Sequence, residues 1–322
     1  MRCLALAELL QLQGWRCRFA YAECPQSLLA RLQRAGMQPL ALPSRHSWQE
    51  IQALAPQLLV WDGYHFPADY RRRLRPLAQR VLALDDGQDE SPLYADGVLN
   101  SSPLACAADY AQRAPGARLL LGVEYAPLRQ EFLRLARGSA RPQEQRLLVS
   151  LGGSDVLNLG PGLVQALLQR EPGLSIDWAV GAASGQVEAA QQLARQHGQR
   201  LRLYRDCTQM AQLMAQARMA LAAAGSTLLE LAYLGLPGLA LVVADNQQPA
   251  LAAPYNQWFS SWDLRNPEGR QAQLQRLCGQ ALEQLQDRAG LQRQRQRLLD
   301  LPIASRTEHL GRELMSAAKV SI

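Results

Sequence analysis

The chain has 322 residues, 48% hydrophobic and 19% charged, enough for two globular domains with a large core. Its net charge of +6 rests on arginines spread along the chain without interleaved aromatics, Lys319 being the only lysine, which argues against a nucleic-acid partner. No apolar run approaches the roughly 18 residues that a membrane span requires, and six scattered cysteines without a CxxC pair fit buried thiols in a reducing, cytoplasmic compartment.

The opening MRCLALAELLQLQGW is interrupted by Glu8 and has no small-residue cleavage site. It reads as an amphipathic helix with Leu4, Leu6, Leu9, Leu10 and Leu12 as its apolar face. Strands are expected at 16–22, 37–42, 57–61, 80–84, 98–100 and 119–121, with helices at 25–33, 48–54 and 68–75 between them. This βαβα alternation implies a parallel sheet covered on both faces. Residues 136–146 are polar, with Gly, Ser and Pro, and read as a linker between a domain at 1–135 and another at 147–322.

The second alternation runs through strands at 147–151, 175–180, 201–204, 219–224 and 239–243, with helices at 159–169, 186–197, 207–217 and 228–234. Gly235 and Pro237 are the signals that end the last of these. Beyond Pro249 the pattern weakens: 255–262 is aromatic-rich, and 271–299 is helical and rich in Gln and Arg. The expected architecture is α/β, with two doubly wound Rossmann-like domains facing across a cleft, where nucleotide-bearing ligands usually bind.

Two strand-to-helix loops carry the candidate chemistry. Gly225-Ser226-Thr227 is a small-residue turn before a helix, which would let a diphosphate approach backbone N–H groups at the positive end of the helix dipole. Glu230, one turn on, suits a ribose diol, although Thr227-x-x-Glu230 reads equally as a capping box. Asn246 and Gln247 follow the next strand, on the edge where open α/β sheets bind ligands. Gly152-Gly153-Ser154-Asp155 repeats the logic, either as a tight turn or as a phosphate or base contact. In the first domain, Tyr64 closes a strand and could pack at the rim. Asp85-Asp86 reads as a cap or arginine partner before it reads as a catalytic pair. His46 and His65 lie in loops without a defined role, His197 and His309 read as solvated helix residues, and no His/Cys cluster suggests a metal.

Several stretches then occur in a specific order: Arg2-Cys3-Leu4-x-Leu6-Ala7, Asp62-x-Tyr64 and Leu84-Asp85-Asp86. They are followed by Leu120-Leu121-Gly122-x-x-Tyr125-Ala126-x-Leu128-Arg129-x-Glu131-Phe132 and Val149-Ser150-x-Gly152-Gly153-Ser154-Asp155. Ala223-Ala224-Gly225-Ser226-Thr227-x-x-Glu230 and Asp245-Asn246-Gln247 complete the series. Over residues 1 to about 250 the chain resembles the UDP-2,4-diacetamido-2,4,6-trideoxy-β-L-altropyranose hydrolases of pseudaminic acid biosynthesis, relatives of the glycosyltransferase-B fold. The loops at 120–132 and 223–230 together make the resemblance specific.

The resemblance implies hydrolysis of a UDP-sugar at the anomeric carbon by a monomer without cofactor or metal. It implies that Glu230 holds the ribose and that Gly225, Ser226 and Thr227 hold the diphosphate. Arg2, Arg129, Gly152, Gly153, Ser154, Asn246 and Gln247 complete the implied substrate-binding set, and Tyr64 lines the reaction centre as the catalytic residue. Two departures qualify it. The family's general base is a His in a Gly-x-Gly-His-x-x-Arg loop, and the matching stretch here begins at Met1-Arg2. The expectation is therefore a first domain lacking its N-terminal strand, and a chain that binds UDP but hydrolyses the sugar feebly. Second, PYNQWFSSWDLRN at 254–266 replaces a small-residue segment. A UDP-sugar glycosyltransferase and an inactive nucleotide-sugar binding homologue are the alternatives.

Overall fold

Apolar runs of strand length become parallel strands, most of them joined by helical crossovers. The structure, a computed structural model, describes residues 1–63, 65–140, 142, 145–181 and 183–316. It divides into two units: Met1–Gln130 with the segment from Ile303 onward, and Glu131–Pro302. Among the described residues no helix is long and apolar enough to cross a membrane.

In the first unit, β1 (Arg18–Tyr21) and β2 (Gln38–Ala41) form a parallel pair. Separately, β3 (Leu58–Asp62), β4 (Arg80–Leu84), β5 (Gly97–Asn100) and β6 (Arg118–Leu121) form a four-stranded parallel sheet in that order. The helix Arg2–Leu12 packs on both pieces. Leu4 and Ala7 meet Leu32 and Met37 on the side of the pair, while Leu6 and Leu10 meet Leu82, Leu84, Leu99 and Leu120 of the larger sheet. The helix is thus buried nearly all round rather than on one face, and Leu12, expected in its apolar stripe, is 60% exposed.

The end of the chain returns to this unit, a correction to the expectation that everything after 147 belongs to the second. Ala304 and Arg306 donate backbone N–H groups to the carbonyls of Val123 and Glu124, both at 2.9 Å. The helix Leu310–Ser316 then sets Leu310 and Leu314, one turn apart, into the core that Leu6 and Leu10 also fill. That apolar contact draws the segment back.

The second unit is one six-stranded parallel sheet built from β7 (Arg146–Ser150), β8 (Ser175–Val180), β9 (Leu201–Arg205), β10 (Met219–Ala223), β11 (Gly238–Val242) and β12 (Ser260–Asp263). Their spatial order is β12-β11-β10-β7-β8-β9. β7, β10 and β11 are buried along their full length, which suits unbroken apolar runs in a sheet covered on both faces. β12 was not legible in advance because Ser260 and Ser261 break the apolar signature; it survives as an edge strand paired to β11. The helical stretch expected at 271–299 is two helices, Arg270–Gln286 and Arg288–Leu299. Asp287 separates them, and its carboxylate accepts the Gly290 N–H at 2.8 Å to start the second.

From β7 the chain steps outward through β8 and β9, then crosses back to place β10 on the other flank of β7. The strand order reverses between β7 and β10, which makes their carboxyl ends the switch point of the sheet.

Candidate functional site

Both glycine loops leave that switch point. Ser150 of β7 pairs in register with Ala222 of β10, so Gly152-Gly153 and Gly225-Ser226 emerge side by side. All four residues are exposed. Gly152 needs to be glycine, with φ 82°, while a Cβ on Gly153 or on Gly225 would meet nothing within 4 Å. The space over these two glycines is open.

The helices behind the two loops begin differently. After the first loop, Asp155 is only 7% exposed. Its carboxylate accepts the N–H of Leu159 at 3.0 Å and that of Gly160 at 2.8 Å, closing the N terminus of the helix Gly160–Arg170. Gly160 fits there because a Cβ would lie 2.3 Å from the Trp178 ring. After the second loop, the helix Thr227–Leu234 starts behind Ser226 with no side-chain cap. The N–H groups of Leu228 and Leu229 turn back to the carbonyls of Gly225 and Ser226 at 3.0 and 3.1 Å. Those of Ser226 and Thr227 have no partner among the described residues. An anion can therefore take the positive end of this helix, where on its neighbour a carboxylate already sits.

The helix start bears on the capping reading of Glu230. With Ser226 as N-cap, the acid of a capping box would fall at Leu229, so Thr227 and Glu230 do not form one. Glu230 is 8% exposed on the first turn. Gly235 ends the helix in the left-handed conformation, φ 67°, as its sequence signal requires. Beyond β11, Asn246 is exposed on the same sheet edge. Gln247 is occupied locally: its side-chain oxygen accepts the Val243 N–H at 2.9 Å and its own N–H donates to Ala244 at 3.0 Å.

In the first unit, Arg2 reaches the carboxyl ends of β3 and β4. Its guanidinium donates to both oxygens of Asp62, at 3.0 and 2.5 Å, and pairs with Asp86. The Cys3 thiol donates to Asp62 at 3.0 Å. Burial alone would raise the pKa of Asp62, but the hydrogen bonds and charge of Arg2 outweigh it and hold the carboxyl below its usual range. Burial first, then Asp62, pushes the Cys3 thiol up. Asp85 faces the other way. It binds Arg113 through both oxygens at 3.0 Å, and accepts the Tyr110 hydroxyl at 2.8 Å. The Asp85-Asp86 pair is thus divided between two arginines, in keeping with the arginine-partner reading. Arg129 is buried. His46 stacks edge-on against Tyr70 and His65 lies against Phe66. Tyr64 lies outside the described residues.

Sequence reasoning brought Gly152, Gly153, Ser154, Gly225, Ser226, Thr227 and Glu230 to one sheet edge, where the structure has them. It placed an N-capping residue in the Gly152–Asp155 loop without saying which; it is Asp155 whose carboxylate closes the helix.

No family model matches the chain. An uncharacterized protein of Methanocaldococcus jannaschii is 23% identical over 202 residues, 60% of this chain and 42% of that protein. The chain spans about two fifths of the length of this curated relative. Among solved structures, the co-structure of S. aureus MnaA with UDP superposes with a TM-score of 0.65 at 12% identity, over 100% of this chain and 97% of that one. The fold is of the glycosyltransferase-B class, with two Rossmann-like domains. UDP-GlcNAc 2-epimerase from Neisseria meningitidis, solved with UDP-GlcNAc, gives 0.62 at 12% identity, over 97% and 96% of the two chains. MurG of Acinetobacter baumannii gives 0.59 at 18%, over 97% and 94%.

Proposed function

We propose that the chain binds a UDP-sugar through its second unit and hydrolyses it at the anomeric carbon, releasing UDP and the free sugar, a diacetamido-trideoxyhexose. The observation that carries the nucleotide part is the pair of unpartnered N–H groups on Ser226 and Thr227, at a switch point with open space over Gly225 and Gly153. The diphosphate sits there, and Glu230 takes the ribose. UDP becomes a good leaving group as these donors absorb the charge that grows on it when the anomeric bond breaks. Solved neighbours that hold UDP or UDP-GlcNAc support a nucleotide-sugar ligand. The choice of hydrolysis, the sugar, and the roles of Tyr64, Arg2, Arg129, Asn246 and Gln247 rest on the family resemblance. A second reading, transfer of the sugar to an acceptor, is supported by the likeness to a solved glycosyltransferase of Rickettsia africae.

Calorimetry with UDP and with uridine tests the site. A valine at Gly225 projects into open space, so Gly225→Val leaves the fold intact and blocks the anion. It should abolish UDP binding while uridine loses little. Equal loss of both ligands, or none, removes the diphosphate assignment. UDP release from the UDP-sugar in acceptor-free buffer marks the hydrolase; release only after an acceptor is added marks the transferase.

A further inference from the structure

We infer that Gly181 and the backbone N–H of Ala183 are positioning elements for this site; the inference rests on the nucleotide reading above. Gly181 follows β8, the strand flanking β7 on the side away from β10. A Cβ there would lie 2.2 Å from the carbonyl oxygen of Gly153 and 2.5 Å from its carbonyl carbon and Cα. Its φ lies outside the left-handed region, so space, not backbone conformation, demands glycine. The Ala183 N–H donates to the same Gly153 oxygen at 3.1 Å. A third tie joins the two loops further on, from the Gln186 side-chain amide to Asn158 at 3.0 Å.

Peptide planarity turns this contact into a statement about the site. The carbonyl of Gly153 and the N–H of Ser154 belong to one planar trans unit and point in opposite directions. With the carbonyl held toward the loop after β8, the Ser154 N–H is directed away from that loop, to the flank where β10 and the Gly225–Thr227 turn lie. This N–H has no partner among the described residues. It joins those of Ser226 and Thr227 as a third backbone donor for the diphosphate. The closeness of Gly181 sets the direction, and the Ala183 hydrogen bond keeps it. Gly185, in the same loop, has nothing within 4 Å of its Cβ position and takes no part.

The test is calorimetry with UDP and with uridine on the wild-type chain, Gly181→Ala and Gly185→Ala. Gly181→Ala should weaken UDP by about tenfold or more, the loss expected for one hydrogen bond to a charged group, and leave uridine nearly unchanged. Gly185→Ala should match the wild type for both. A general structural role would lower both ligands together, so equal losses overturn the inference. So does a folded Gly181→Ala that binds UDP as the wild type does. If Gly181→Ala does not fold, Ala183→Pro keeps the glycine and deletes the donor; retention of full UDP affinity there is equally fatal. Failure of the wild-type chain to bind UDP would overturn the nucleotide reading itself, and this inference with it.

Discussion

The carboxylate of Asp155 closes the helix N terminus at Gly160, 2.8 Å from its N–H, at the switch point where the neighbouring helix is left open. One helix start is satisfied from within, whereas the N–H groups of Ser226 and Thr227 at the other have no partner among the described residues. Asp155→Ala removes acceptors for two backbone donors and should cost about 1–2 kcal/mol of stability, read as a lower urea midpoint. Asp155→Asn, which keeps one acceptor, should cost less. An Asp155→Ala chain as stable as wild type would dismiss the capping role.

Glu230 is the proposed ribose contact. Its carboxylate lies on the first turn and takes no part in a capping box. Glu230→Gln should weaken UDP and uridine alike, by about 1.5–3 kcal/mol, because both ligands carry the diol. Calorimetry showing unchanged affinity in a folded variant would remove the ribose assignment.

The Asp85, Arg113 and Tyr110 cluster predicts a stability effect in the first unit. Removing one partner of a buried ion pair leaves the other charge uncompensated, so Arg113→Ala should cost about 3 kcal/mol. Tyr110→Phe, which loses the hydroxyl to Asp85, should cost about 1 kcal/mol. Thermal unfolding of the two variants gives the ranking, and no change for Arg113→Ala would reopen Asp85 as a chemical group.

Acid should destabilise the chain through Asp62 and Asp89. Burial raises the pKa of Asp89, but hydrogen bonds from Ser91 and the pairing with Arg71 outweigh it and hold the carboxyl at about 2. Asp62 is likewise held low by Arg2. A carboxylate whose folded pKa is depressed contributes stability above its unfolded value, near ~3.9, and loses it as pH falls through the folded value. The urea midpoint should therefore drop between about pH 4 and pH 2, less steeply in Arg71→Met. A midpoint that does not move over that interval would contradict the ion pairs.

Local chemistry was readable from the residues, and distant contacts were not. The fully buried runs of β10 and β11, the cap at Gly235 and the two glycine loops each declare themselves within a few positions. The Asp155 cap is also local, and the loop's residues admit both a capped turn and a ligand contact. The four-residue β12 exists because β11 offers an edge, which Ser260–Asp263 cannot announce by composition. The break at Asp287 depends on a single hydrogen bond to Gly290. Gly181 looks like any loop glycine until Gly153, from another loop, is placed against it. The all-round burial of the first helix needs two sheet pieces that only the fold supplies.

The return of the chain end has a consequence for the order of folding during synthesis. The core holding Leu6, Leu10, Leu82 and Leu120 is completed by Leu310 and Leu314. The second unit comprises Glu131–Pro302. As the polypeptide leaves the ribosome, the part translated later can close first, since domains fold as units once their residues have emerged. The core around Leu6 and Leu10, already in contact with Leu82, Leu84, Leu99 and Leu120, stays incomplete until Leu310 and Leu314 have emerged.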